Sequence, residues 1–221
     1  MAYLTVTTPF DVVAPGDGKL SLREALEQAN ASSDADTIRF VAALEGKTLV
    51  LTGGELPITQ DLTIDGSEVT IDGNTNGRIL NISGADTEVA LKNLILANGY
   101  FDAVGGGGAV LVDNAKLVGS NITIRDSHAG TFGGGGISVE NGGQLELSNS
   151  TLFGNQSDET TGGAVKVVGA SAFIDGCLIS NNGAESYMSG GGIGIINGVV
   201  TITRSSIVRN NSHNGGYFKR K

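Results

Sequence analysis

Tryptophan is absent from the sequence, proline occurs 3 times in 221 residues, and aromatic residues make up only 5%. A core of this composition is built from small aliphatic side chains, which suits neither a doubly wound enzyme nor a helix bundle. Cysteine occurs once, as Cys177. That excludes an internal disulfide and a cysteine-based metal site, and a lone thiol reads as a small buried hydrophobe. Positive charge is in deficit: 14 Lys and Arg face 23 Asp and Glu, a formal net charge of −9. A nucleic-acid partner is therefore disfavoured, and the basic tail FKRK at 218–221 is too short to reverse this. No apolar run reaches about 18 residues, so neither a transmembrane helix nor membrane insertion is expected. The opening MAYLTVTTPFDVV has no positive n-region and no long apolar h-region. That leaves a cytoplasmic chain, one whose leader has been removed, or an export substrate with its signal elsewhere.

Glycine is what the chain has in excess, at 35 residues. It comes in clusters: GGGGAVLV at 105–112, GGGGISV at 133–139, GGAVKV at 162–167 and GGGIGI at 190–195. The last glycines of the clusters, Gly108, Gly136, Gly163 and Gly192, recur at a nearly constant interval. A second marker recurs out of phase with the first. TIRD, LFGN, LISN and IVRN end at Asp126, Asn155, Asn181 and Asn210, and Asn98 in LILAN stands one such interval before Asp126. Two markers with one period of about 28 residues define a solenoid. Within it, apolar residues alternate in short pieces, as at Leu62/Ile64, Leu80/Ile82, Val89/Leu91 and Val110/Val112. Period two between Gly, Asn, Asp and Ser reads as short strands and tight turns. Such strands pair with their equivalents one coil above, about 4.8 Å away. The expectation is all-β: a right-handed parallel β-helix of roughly six coils. A phosphate-binding loop is needed once, whereas these glycine runs recur at a fixed interval. They are read as coil corners that need positive φ and close backbone approach. The residues 98, 126, 155, 181 and 210 are read as one stacked Asn/Asp ladder.

One helix interrupts this pattern. SLREALEQAN at 21–30 places Leu22, Ala25, Leu26 and Ala29 on one face, and Ser21 with Glu24 forms a capping box. An open solenoid end needs a cover, so this amphipathic helix is expected to cap the first coil. The chain reads as a single domain over 1–221, with residues 1–40 as the cap and 41–221 as the coils.

DGKLSLREALEQANASSDADTIRF at 17–40 resembles the CSLREA domain at the start of bacterial secreted and surface β-helix proteins, with Leu20 where that signature has its cysteine. GGAV at 107–110 and 162–165 and GGGI at 134–137 and 190–193 resemble one repeat of polymorphic outer-membrane adhesins. LFGN, LISN and IVRN resemble a loosened form of a second. Nothing matches those adhesins' membrane barrel or the calcium-binding nonapeptide repeat. The resemblance implies a non-enzymatic binding or stalk module of an exported adhesin, extracellular or at the cell surface.

The alternative is a carbohydrate-active enzyme, a polysaccharide lyase or hydrolase, or its inactive relative. β-Helical enzymes of that kind need clustered carboxylates or a poised base. The candidate acids are Asp113, Asp126, Glu140, Glu146 and Asp175. No two of them are expected one coil apart in one column. Arg125 and Lys166 read as solvated. His128 and His213 align two residues after Asp126 and Asn211 but lie three coils apart, too far to share a metal. No metal, cofactor or catalytic residue is assigned. Regular Thr rows for ice binding are missing, since Thr5/Thr7, Thr123 and Thr201/Thr203 do not recur in every coil. The longer loops before the glycine runs carry Tyr100, Phe101, Tyr187 and Met188, a candidate binding edge for a carbohydrate or protein ligand. At the C-terminus the period breaks, and a homodimer through an open last coil is expected.

Overall fold

The computed structural model describes residues 1–158, 161–185 and 190–212. Among them one α-helix accompanies four parallel sheets, which wind as a β-helix of about six turns with about 28 residues per coil. From the strand Leu80–Ser83 onward each coil visits the sheets in the same order. The third sheet leads to the first, then the second, then the fourth, and a glycine loop climbs to the third sheet of the next coil.

The first sheet has eight strands: Tyr3–Val6, Asp36–Phe40, Leu62–Asp65, Glu88–Lys92, Lys116–Ser120, Gln144–Ser148, Ser171–Asp175 and Val199–Thr203. The second has seven: Thr48–Val50, Thr70–Asp72, Ile95–Ala97, Thr123–Arg125, Thr151–Phe153, Leu178–Ser180 and Ser206–Val208. The third has six: Leu56–Ile58, Leu80–Ser83, Val110–Asp113, Ile137–Glu140, Val165–Val168 and Ile193–Ile196. The fourth pairs five two-residue strands: Tyr100–Phe101, His128–Ala129, Gln156–Ser157, Gly183–Ala184 and Asn211–Ser212. Every ladder is parallel and in register, so each side chain stacks on its counterpart one coil away. Inward columns such as Leu49, Ile71, Leu96, Ile124, Leu152 and Ile179 form the core and are at most 2% exposed.

The helix Leu22–Asn30 begins at Ser21. Its hydroxyl accepts from the Glu24 N–H at 3.1 Å, while Glu24 Oε2 accepts from the Ser21 N–H at 2.9 Å. Leu22, Ala25, Leu26 and Ala29 are buried against the first coils. Asn30, the last residue of the helix, ties it to the stack: its Nδ2 donates to the Pro57 carbonyl at 2.8 Å and its Oδ1 accepts from the Thr59 N–H at 2.9 Å. The stack starts earlier than the expected boundary at 41, because Tyr3–Val6 and Asp36–Phe40 already form the first two rungs of the first sheet. Asp11 anchors the intervening segment. Arg23 donates to it at 2.7 and 3.0 Å, and the Thr52 and Gly53 N–H groups at 2.6 and 2.8 Å. Burial alone would raise the Asp11 pKa, but these donors outweigh it and hold the carboxyl below its ordinary value.

The corners correct two expected columns. The residue after each of the last five strands of the second sheet is left-handed: Asn98, Asp126, Gly154, Asn181 and Arg209 have φ between 53° and 68°. Asn and Gly reach this region most cheaply, which explains most of that column. The next column is Gly99, Ser127, Asn155, Asn182 and Asn210, and it is the hydrogen-bonded ladder. The Ser127 N–H donates to Asn155 Oδ1 at 3.1 Å. The N–H and Nδ2 of Asn155 both donate to Asn182 Oδ1 at 3.0 Å, and those of Asn182 donate to Asn210 Oδ1 at 3.0 and 2.9 Å. The expected ladder therefore mixed two neighbouring columns. Asn155 and Asn210 belong to the buried ladder, whereas Asn98, Asp126 and Asn181 belong to the left-handed corner.

The glycine column divides in the same way. Gly108 and Gly163 stack with Gly135 and Gly191, while Gly136 and Gly192 stack with Ala109 and Ala164. The last glycine of each run does not have a positive φ; within the runs the left-handed backbone falls earlier, at Gly106, Gly107, Gly133, Gly134 and Gly162. Close approach accounts for the first set. A Cβ at Gly108 would collide with the His128 and Gly135 carbonyls, and one at Gly163 with those of Gly183 and Gly191. In the second column alanine stands at 109 and 164, yet a Cβ at Gly136 would still lie 2.6 Å from the Ala164 carbonyl, so close approach holds there too.

Candidate functional site

Two surfaces outside the core combine chemistry-bearing side chains. The first is the fourth sheet, whose outward column reads Tyr100, His128, Gln156, Gly183 and Asn211 along the helix axis. Tyr100 is 39% exposed and stacks on the His128 ring, with centroids 5.4 Å apart. His128 Nε2 lies 2.9 Å from Asp158 Oδ1. Gly183 leaves a notch in the column, and a shallow groove of about 310 Å³ opens there between Gln156, Asn181, Glu185, Arg209 and Asn211. The histidine alignment was off by two positions: the column of His128 reaches Asn211, and His213 lies outside the described residues.

Of the candidate binding edge, Tyr100 is on this exposed column. Phe101 is in the alternate column with Ala129, Ser157 and Ala184, half-buried, with the Arg78 guanidinium 3.6 Å above its ring centroid. Tyr187 and Met188 fall outside the described residues.

The second surface is the outer face of the third sheet, under the glycine loops. Lys166, expected to be solvated, is 8% exposed. Its Nζ donates to the Phe132 carbonyl at 2.5 Å and to Glu140 Oε1 at 3.0 Å. Ser138, fully buried, donates to the same carboxylate oxygen at 2.7 Å. Arg78 is 2% exposed and occupies the glycine column one coil before Gly108. It donates to the Gly106 and Gly107 carbonyls at 2.8 and 3.1 Å and to Glu55 Oε2 at 2.8 Å. Asn81 holds the other oxygen of Glu55 at 3.0 Å. Burial pulls the Arg78 pKa below its ordinary value, and the Glu55 and Glu140 charges oppose that. Asp113 and Glu140 are direct register partners on adjacent coils, which corrects the expectation that no two acids share a column. The repeated triplets VDN at 112–114 and VEN at 139–141, one period apart, carried that signal.

The other candidates are dispersed. Arg125 pairs with its neighbour Asp126 at 2.7 Å, and Glu146 pairs with Lys116 at 3.2 Å. Asp175 holds Thr203 and Arg204 of the next coil. The second sheet does stack Thr48, Thr70, Thr123 and Thr151, but Ile95 and Leu178 break the row. Among the described residues, no three His, Cys, Asp or Glu side chains converge in a way that could hold a metal ion. No helix among them is long and apolar enough to cross a membrane. Compared with protein-family models, curated proteins and solved structures, the chain matches none.

Proposed function

We propose that the chain is a non-enzymatic binding or stalk module of an exported, adhesin-type protein, displayed outside the cell, which contacts carbohydrate along its fourth sheet. The observation that supports this is the axial column itself. An exposed ring pair, Tyr100 on His128, is followed by the amide of Gln156, the notch at Gly183 and the amide of Asn211. Aromatic faces receive the apolar side of a sugar ring, and amides pair with its hydroxyls. The buried charges of the third sheet are engaged in pinning loops to the sheet. Titration calorimetry against a panel of neutral and acidic oligosaccharides tests the reading. A ligand should bind the intact chain, and Tyr100→Ala should weaken it about tenfold or more. A ligand whose affinity is untouched by Tyr100→Ala and Gln156→Ala would place recognition elsewhere.

The enzymatic reading has one observation in its favour, the stacked Asp113 and Glu140 beside Lys166. Turnover of uronic-acid polysaccharides or neutral glycans that Glu140→Gln abolishes, with folding intact, would establish it.

A further inference from the structure

One chemically labile dipeptide, Asn–Gly, recurs along the chain, and the fold treats its copies unequally. Glycine has no Cβ to shield its nitrogen, so that nitrogen can reach the side-chain amide before it. Four copies lie in coils with a described coil above them: Asn76–Gly77, Asn98–Gly99, Asn141–Gly142 and Asn182–Gly183. Three of these are tied at both reacting groups. Asn98 Nδ2 donates to Asp72 Oδ2 at 2.9 Å, and the Gly99 N–H donates to Ser127 Oγ at 3.1 Å. Asn141 Nδ2 donates to Asp113 Oδ1 at 2.6 Å, and the Gly142 N–H donates to the Gly169 carbonyl at 2.9 Å. Asn182 Nδ2 donates to the Leu152 carbonyl at 3.0 Å, and the Gly183 N–H donates to the Asn155 carbonyl at 2.9 Å. Asn76 is exposed, and among the described residues neither its side-chain amide nor the Gly77 N–H has a partner. Asn141 is exposed too, so exposure is not what sets Asn76 apart.

We propose that Asn76–Gly77 is a site of spontaneous, water-consuming modification that releases the strand Tyr100–Phe101 above it. The Gly77 nitrogen gives up its proton and bonds to Asn76 Cγ. The Cγ–Nδ2 bond breaks, and ammonia leaves with that proton. Water then opens the resulting succinimide ring at either carbonyl, giving aspartate or isoaspartate. Water is taken up and ammonia is released, with no oxidant or reductant. In isoaspartate the main chain runs through the side-chain carbons and is longer by a single atom. The Gly77 carbonyl accepts from the Tyr100 N–H at 3.0 Å and so holds the first strand of the fourth sheet. The next residue, Arg78, is buried and clamps Glu55 and the Gly106 and Gly107 carbonyls. The added length therefore meets a fixed residue on its far side, and Gly77 is what moves. Any effect on a sugar ligand rests on the reading of the fourth sheet given above; the reaction and the release of Tyr100 do not.

The test incubates the intact chain in warm, mildly alkaline buffer and follows it by peptide mass mapping, with enzymatic methylation to detect isoaspartate. Asn76 should convert about tenfold faster, or more, than Asn98, Asn141 and Asn182, whose ties must open first. Hydrogen exchange at the Tyr100 amide should quicken as isoaspartate accumulates. Asn76→Gln should block both changes, because its cyclisation needs a larger ring. Freshly purified Asn76→Asp carries the new charge without the longer main chain and should keep Tyr100 protected. Conversion at Asn76 no faster than at the other three would overturn the assignment of the site. A Tyr100 amide that stays protected in the isoaspartate form, or one already released in fresh Asn76→Asp, would overturn the release. Both readouts are independent of any ligand, so failure of the carbohydrate reading would leave them untouched.

Discussion

The two ends of the β-helix are built from the same inward columns and differ in what lies over them. At the first end, Leu22, Ala25, Leu26 and Ala29 of the helix are at most 3% exposed. At the last, Ile202 and Ile207 are more than 40% exposed although their neighbours one coil down are fully buried. An aliphatic residue is thus worth as much as its position in the stack allows: burial depends on the next layer, not on residue type. The same holds for the polar ladder, where Asn182 bonds both above and below and, among the described residues, Asn210 bonds only below.

The largest effect should come from the sealed end. Leu26→Asp buries an unpaired carboxylate and should cost several kcal/mol, read as a fall in the urea midpoint or as loss of soluble protein. The same change at the half-exposed Ile207, Ile207→Asp, should cost under about 1 kcal/mol. Equal effects would mean that the ends are equally covered.

Next comes the buried cluster. Lys166→Ala leaves Glu140 and the Phe132 carbonyl without their partner and should cost about 2 kcal/mol, discounted from the cost of breaking a fully buried pair because Glu140 is partly open. Lys116→Ala removes a pair of surface bridges and should cost under about 0.5 kcal/mol. A loss below that at Lys166 would show the loop staple to be dispensable.

The two neighbouring columns at the corner can then be separated. Asn182→Ala breaks the ladder and should lose about 1–3 kcal/mol in chemical unfolding. Asn181→Gly keeps the left-handed corner and should stay within about 0.5 kcal/mol of the parent. A matching loss in both would merge the two roles.

The smallest effect is electrostatic. Hydrogen bonds from Arg204 and Thr203 hold the Asp175 pKa at about 2, against an ordinary 3.8. A depressed carboxylate pKa stabilises the fold above the ordinary value, and the contribution is lost as pH falls from about 3.8 towards 2. Melting curves across that interval should show a slope that Asp175→Asn removes.

The fold was legible because period and alternation are properties of whole columns. The helix was legible because Ser21, Glu24 and four apolar positions agree. Register was not, because residue type was matched across columns. Asn181 aligns with Asn155 by identity, but its structural counterpart is Gly154, and either residue suits a left-handed corner. Asn181 stands closer in sequence to Asn155 than to Asn210, and that unevenness was the trace of the slip. Lys166 was misread for a different reason. Alternation in VKVV correctly turns it away from the core, but nothing local says that a loop bearing Phe132 lies over that face. Arg78 and Glu55 gave no sequence signal at all, since their partners are loop carbonyls and an amide roughly a whole coil further along the chain.

Coil-on-coil pairing also sets how the molecule would bear tension. Each coil is held by its two neighbours alone, so a pull on the C-terminal end loads one layer at a time. Each release would free about 28 residues, roughly 100 Å of extended chain. The first strand, Tyr3–Val6, is locked beside Asp36–Phe40 and the helix packs close by, so the N-terminal end should hold longest. Stretched in an optical trap, the described coils should lengthen in even steps from the one that holds Ser206–Val208, like line leaving a reel whose core is fixed.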